Sequence, residues 1–286
     1  MNNLIKRALS GAVYVALIVC GIMAGGWWFI ALSCLFAVLA LNEFYGLSNG
    51  SSGGENVSTL VIDIAGGFIL VAGLGCVNLG LLSPFTTRVI GGTLFMLYLL
   101  YLVVRLVSQL YSREVSPLVN LAFSYMGQLY IALPLGLMSM YYTFSNGAWL
   151  LLAMFVMIWL SDTGAYLVGS AIGKHKLFPR ISPGKTWEGF IGGLIFATGA
   201  GVAFKYLCPG CFDSMPVCAM AGLGIVVSLF ATWGDLVESL IKRTLGVKDS
   251  GSIMPGHGGI LDRIDSLLLV VPASLIYLVF INTYLF

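Results

Sequence analysis

Nine apolar stretches constrain this chain more than any other feature. Each is close to the roughly 20 residues that carry a helix across the hydrocarbon of a bilayer. They run over 8–26, 27–45, 58–82, 89–110, 117–142, 147–170, 189–207, 216–236 and 266–285. In lipid every backbone N–H and C=O must find its partner within the protein, which leaves helices or closed barrels. The period-2 alternation of barrel strands is missing. The sequence therefore predicts an all-α, polytopic integral membrane protein with about nine transmembrane helices. Composition agrees: 9% of residues are charged, where a soluble domain carries about 25%. The first stretch follows Lys6 and Arg7, as a signal peptide would. It leads directly into Trp27 and Trp28 with no small-residue cleavage site, and is read as a retained helix.

Basic residues set the expected orientation. With nine spans and a cytoplasmic N-terminus, the inner segments hold Lys6, Arg7, Arg105, Arg113, Lys174, Lys176, Arg180, Lys185, Lys242, Arg243, Lys248 and Arg263, and only Arg88 and Lys205 fall outside. Both polar loops of the second half then face the cytoplasm. A net charge of +2 is too small to suggest a nucleic-acid partner.

Polarity divides the chain. Residues 1–145 are helices with few charges, expected to scaffold and to offer a homodimer contact. Residues 146–286 hold eight of the twelve acids and are expected to do chemistry. Glu43 and Asp63 read as isolated structural hydrogen-bonding groups, 47–57 as a flexible Gly/Ser/Asn loop, and Pro134 as a kink in the fifth span. Four of the six cysteines lie within spans or at their edges. Cys208 and Cys211 form a CxxC too small for a tetrahedral zinc site; a local disulfide or no role is the expectation.

Charge gathers in three places. In 231–243, Asp235, Glu238, Ser239 and Lys242 stand at i, i+3, i+4 and i+7, one polar stripe on an apolar helix. Two acids with a Lys a turn away suit a divalent cation and its phosphate ligand; an internal Glu238–Lys242 pair can coexist. In 261–266, Asp262 and Asp265 share a face if they open the last helix. Their position also suits the helix dipole, which does not account for two acids bracketing Arg263 beside His257, Gly258 and Gly259. Magnesium takes oxygen ligands, usually one or two carboxylates plus phosphates, so Asp235, Asp262 and Asp265 are the expected metal ligands. The Gly-rich segment between, with Lys248 and Asp249, lets backbone N–H groups approach phosphate; Lys242 and Arg243 add charge, and His257 a proton-transfer or hydrogen-bonding group. In 159–189, Asp162 ends a span before a basic loop, and Ser182, Lys185, Thr186 and Glu188 follow as candidate substrate contacts. Lys174, Lys176 and Arg180 are equally explained as an anchor to anionic lipid.

The order Ser239, Lys242-Arg243, Lys248-Asp249, Gly251, Pro255, His257-Gly258-Gly259, Asp262-Arg263 and Asp265 resembles the signature of the phosphatidate cytidylyltransferase (CDP-diacylglycerol synthase) family. Met254 departs from it by a packing change. The blocks Asp162-Thr-Gly-Ala-Tyr166 and Ser182-Pro-Gly-Lys185-Thr186-Trp-Glu188-Gly189 resemble further segments of that family, associated with nucleotide binding and activity. The resemblance spans about 160–266 and implies CTP and phosphatidic acid as substrates, CDP-diacylglycerol and pyrophosphate as products, and Mg2+ as cofactor; a second, monovalent cation is left open. It implies an integral protein of the cell (inner) membrane whose active site faces the cytoplasm. The catalytic candidates are then Asp235, Asp262, Asp265, Lys242, Arg243 and His257, and the substrate-binding ones Asp162, Ser182, Lys185, Thr186, Glu188, Lys248, Asp249, Gly258, Gly259 and Arg263. Two alternatives stand beside this reading. One is a nucleotide-dependent polyprenol or lipid kinase. The other is an ion-coupled transporter, whose polar residues should lie near span midpoints rather than crowd at span ends as here.

Overall fold

The computed structural model describes residues 3–52, 57–111, 116–213, 215–251, 253 and 258–284. Among these, eight helices are long and apolar enough to cross a membrane, and Leu9–Ala24 is a shorter apolar helix. Each of the nine expected stretches falls largely on helix, the third ending at Asn78 rather than at 82, and the chain is an all-α polytopic membrane protein with one short hairpin among the described residues. It falls into two compact units: residues 1–143 with 245–263, and residues 144–244 with 264–286.

The first unit contains α1 (Asn3–Ala24), α2 (Gly26–Ser52), α3 (Val57–Asn78) and α4 (Pro84–Leu110). The break between α1 and α2 falls at Gly25, which with Gly26 adopts positive φ, a conformation open to glycine without steric cost. Helix α2 runs on through Ser52, so part of the segment expected as a loop is helical; residues 53–56 lie outside the described residues. The fifth span is irregular around its proline. It comprises α5 (Pro117–Gly127), a π-helical turn Gln128–Ala132, α6 (Leu133–Leu137) and a 3-10 turn Met138–Thr143. Pro134 donates no N–H and its ring crowds the carbonyl four residues back, so the ladder widens into the π turn there.

The interior of this unit holds a closed polar network. Asp63 on α3 accepts from the Arg105 Nε at 3.1 Å, the Tyr101 hydroxyl at 3.0 Å and the Ser124 hydroxyl at 2.5 Å. Arg105 also donates to Gln109 Oε1 at 2.5 Å. The expectation that Asp63 is structural fits this arrangement. Arg105, counted among the inner-segment charges, is 1% exposed and pairs with the carboxylate on α3 in the core of this unit.

The second unit contains α7 (Gly147–Ile172), a hairpin of β1 (Lys176–Phe178) and β2 (Ser182–Thr186), α8 (Trp187–Leu207), α9 (Val217–Thr244) and most of α10 (Leu261–Tyr284). Helices α7 and α8 pack closely, as do α8 and α9, and Ser161 of α7 shares a 2.9 Å hydrogen bond with Ser228 of α9. The strands pair antiparallel, Lys176 opposite Thr186 and Phe178 opposite Ser182, where the sequence suggested only a basic loop. Helix α9 runs on past the expected apolar span, which ended near 236, to Thr244, so the polar stripe expected over 231–243 is helical. Cys208 and Cys211 are free thiols in a turn where the Cys211 N–H donates to the Cys208 carbonyl at 3.2 Å.

Candidate active site

In the second unit three sequence blocks converge on a cavity of about 460 Å³. It is lined by Ser161, Asp162 and Tyr166 of α7, Lys185 and Thr186 of the hairpin, Phe190 of α8, and Thr232 and Asp235 of α9, among others. The hairpin is what brings Lys185 here. Its second strand feeds directly into α8, and Thr186 caps that helix by accepting the Gly189 N–H at 3.2 Å, the usual device for an orphan donor at a helix start. Lys185 then reaches α9: its Nζ lies 2.7 Å from Asp235 Oδ2 and donates to the Thr232 carbonyl at 3.2 Å.

Asp235 belongs also to a carboxylate cluster. Oxygens of Asp235, Glu238 and Asp265 all lie within 4.8 Å of one another. Asp235 and Glu238 share a face by their i, i+3 spacing. Asp265 joins them because α9 and α10 approach closely at Gly234: a Cβ there would stand 2.7 Å from the Asp265 carbonyl oxygen and 2.9 Å from Ser266 Cα. Two contacts orient the acids. The Ser239 hydroxyl donates to Asp235 Oδ1 at 3.2 Å, and the Ser266 N–H to Asp265 Oδ1 at 2.7 Å. Lys242 pairs with Glu238 at 2.6 Å, the i, i+4 pair that the spacing allowed. Three carboxylates at this separation repel one another; among the described residues the ammonium groups of Lys185 and Lys242 pair with them, two positive charges against three negative. An all-oxygen donor set with excess negative charge fits a hard divalent cation.

The polar loop 245–263 belongs to the first unit. There the Asp262 Oδ2 accepts the backbone N–H of Ser250 at 3.0 Å and of Gly259 at 2.8 Å. Asp262 thus organises the turn into α10, while Glu238 takes the third place in the carboxylate cluster. Gly258 has φ +86°, and a Cβ on it would meet Asp262 Oδ2 at 2.7 Å, so both its backbone and its surroundings require glycine. Arg243, Lys248, Asp249 and Arg263 are exposed. His257 lies outside the described residues.

Two other expected contacts have partners within the hairpin region. Ser182 stands half-buried opposite Phe178. Glu188, in the first turn of α8, accepts the N–H of Lys174 and of His175 at 3.2 Å each, and its Oε1 is 2.6 Å from His175 Nδ1. It therefore ties the approach to β1 onto the start of α8. Sequence reasoning passed over Tyr166 and Phe190 on the cavity wall, and gave Glu43 no link to the polar loop. Tyr166 stood inside a quoted block; Glu43 carried no local signal.

The sequence profile of the cytidylyltransferase family matches residues 5–281. Curated relatives include proteins named phosphatidate cytidylyltransferase from Staphylococcus aureus (strain COL), 49% identical, from Staphylococcus haemolyticus (strain JCSC1435), 46% identical, and from Staphylococcus saprophyticus, 45% identical. Each match runs over 158 residues, 55% of this chain and 59% of the relative.

Proposed function

The chain belongs to the cytidylyltransferase family, and from that premise we propose that it transfers the cytidylyl group of CTP to membrane phosphatidic acid, giving CDP-diacylglycerol and pyrophosphate. The observation that carries this reading is the junction of cavity and cluster at Asp235. One carboxylate lines a space of about 460 Å³ and belongs to a three-carboxylate set, with Lys185 bonded to it. A volume of this size is typical of small-molecule sites, about 300–1,000 Å³. The relatives' name gives the reaction class, and the site's charge pattern suits polyphosphate chemistry.

Asp235, Glu238 and Asp265 would hold magnesium. When bound, such a cation neutralises phosphate charge and stabilises a departing oxyanion. Lys185 contributes through its ammonium group, 2.7 Å from Asp235 Oδ2. An ammonium carries three donors; Asp235 and Thr232 engage two, and the third serves a phosphate oxygen. Asp162 and Tyr166 on the same cavity wall offer an acceptor and a donor to the nucleotide. Exposed Arg243, Lys248 and Arg263 attract both anionic substrates. A phosphate oxygen of phosphatidate attacks the α-phosphorus of CTP. A new P–O bond forms, the bond to the β-phosphate bridging oxygen breaks, and pyrophosphate leaves with that electron pair. The nucleophile is already an oxyanion, so the protein's contribution is positioning and charge stabilisation. The polar ends of the spans are assigned to the cytoplasmic face of the membrane, where soluble CTP meets a lipid phosphate.

The test is pyrophosphate release by purified protein given CTP, magnesium and phosphatidate in mixed micelles, omitting each in turn. Release that needs all three, with CDP-diacylglycerol as the lipid product, is the expected result. Release of CDP would instead identify a kinase, and no turnover of either kind would overturn the assignment.

A further inference from the structure

Glu43 lies on α2, 7% exposed, and its partners are more than 200 residues away in the chain. Its Oε1 accepts the Ile260 N–H at 3.0 Å; its Oε2 accepts the Leu261 N–H at 2.9 Å and the Ser250 hydroxyl at 3.1 Å. Leu261 is the first residue of α10. The first N–H groups of a helix have no partner within it, and negative charge is favoured there. A carboxylate from another helix therefore caps α10.

The loop is shaped around that carboxylate. A Cβ on Gly251 would stand 2.6 Å from Glu43 Oε1, and one on Gly259 would fall inside contact distance of both Glu43 Oε2 and the Ser250 hydroxyl. Ser250 is held twice, its hydroxyl by Glu43 and its N–H by Asp262. The two ends of the Gly-rich segment, at 250–251 and 259–261, are thus closed onto one buried acid. Any residue in α2 whose role was only to fill the core would be served better by an apolar side chain, since burying a carboxylate is costly without such partners.

We propose that Glu43 is a positioning residue for the transfer reaction: it holds Ser250–Gly251 and Gly259–Leu261 together and fixes the point at which α10 begins, without itself touching substrate. This rests on the cytidylyl-transfer reading above. Loosening the loop would misplace the polar groups that it and the start of α10 carry, and small misplacements at a reacting centre cost rate steeply.

The experiment compares the full-length protein with Glu43→Gln and Ser250→Ala in the same micelles. It reads amide hydrogen exchange over 245–263, the fraction folded, and kcat and KM for CTP per folded molecule. A glutamine can accept at one oxygen but presents an NH2 to the second backbone donor. Faster exchange at Ile260 and Leu261 is expected, with kcat lower by about tenfold or more and KM for CTP changed much less. Ser250→Ala should move exchange and kcat the same way by a smaller factor, and decides the matter if Glu43→Gln does not fold. Unchanged exchange overturns the proposal. So does faster exchange with an unchanged kcat per folded molecule, since a purely structural role predicts that outcome. If the wild-type protein releases no pyrophosphate, the transfer reading fails separately; exchange then still decides whether Glu43 fixes the loop.

Discussion

The two units each hold acids on apolar helices, in opposite ways. In the first, Asp63 faces one guanidinium and two hydroxyl groups, and every contact points inward to a neighbour that matches it. In the second, three carboxylates crowd within 4.8 Å against two lysines, beside a cavity. A charge that the fold itself neutralises reads as architecture. A charge excess that the fold tolerates reads as a place where something else completes the balance. Residue type alone does not separate the two cases, because both are acids within apolar helices.

The comparison breaks most visibly at Asp63. Asp63→Ala leaves Arg105 buried without its counterion, and removing one partner of such a pair costs about 3–5 kcal/mol. The expected result is a large loss of folded protein in detergent, measured by thermal unfolding, with no change in KM for CTP in the molecules that remain folded. A folded variant with altered KM would move Asp63 from architecture to function.

The opposite behaviour is expected of Asp235→Asn and Asp265→Asn. Each removes one of several repelling charges, so folding should be retained. Pyrophosphate release should fall by about 10²–10³-fold or more, the scale of a lost electrostatic contact at a transition state. Added magnesium should recover part of the activity if the fault is weaker cation binding. Full activity in both variants would make the cluster structural like Asp63.

Lys185→Met tests the link between cluster and cavity. A hydrogen bond to a charged group contributes about 1.5–3 kcal/mol, so kcat/KM for CTP should drop by roughly 10–100-fold while the fold persists. An effect confined to stability would assign Lys185 to tethering α9 rather than to phosphate.

These contrasts show what a linear sequence can carry. The nine helices were legible because hydropathy over about 20 residues reports directly on the solvent. The Asp235–Glu238–Lys242 stripe was legible because helical spacing is local. The partner of Asp235 in α10 was expected, but its third companion was named as Asp262, and the structure places Glu238 there while Asp262 closes a turn through Ser250 and Gly259. Nothing in sequence distinguishes two acids three residues apart when the deciding contacts are backbone N–H groups of a folded loop. The partners of Arg105 and Glu43 were not legible for a related reason, although Glu43 is the structural hydrogen-bonding group its sequence context suggested. Each has its meaning set by a residue far away in the chain, Asp63 in one case and the 250–261 loop in the other. The β1–β2 hairpin escaped notice because strands of three and five residues are too short for alternation to show.

The finest test of the boundary between architecture and function is Thr186. It sits on the cavity wall and also caps α8 through the Gly189 N–H, so the same hydroxyl has a structural use and borders the cavity. Removing such a cap costs about 1 kcal/mol, and Thr186→Ala should lower the unfolding midpoint by a few degrees, since about 1 kcal/mol corresponds to roughly 2–4 °C in a domain of this size class. Thr186→Ser keeps the capping oxygen and should restore the midpoint. If the hydroxyl serves only the helix, KM for CTP will follow stability, nearly unchanged in both variants once folded molecules are counted. If it also donates to a phosphate, Thr186→Ala will raise KM about tenfold, by the loss of a charge-assisted hydrogen bond, and Thr186→Ser will recover it. The cap's acceptor role occupies one of the oxygen's two lone pairs and leaves its proton to donate, so the two uses are compatible.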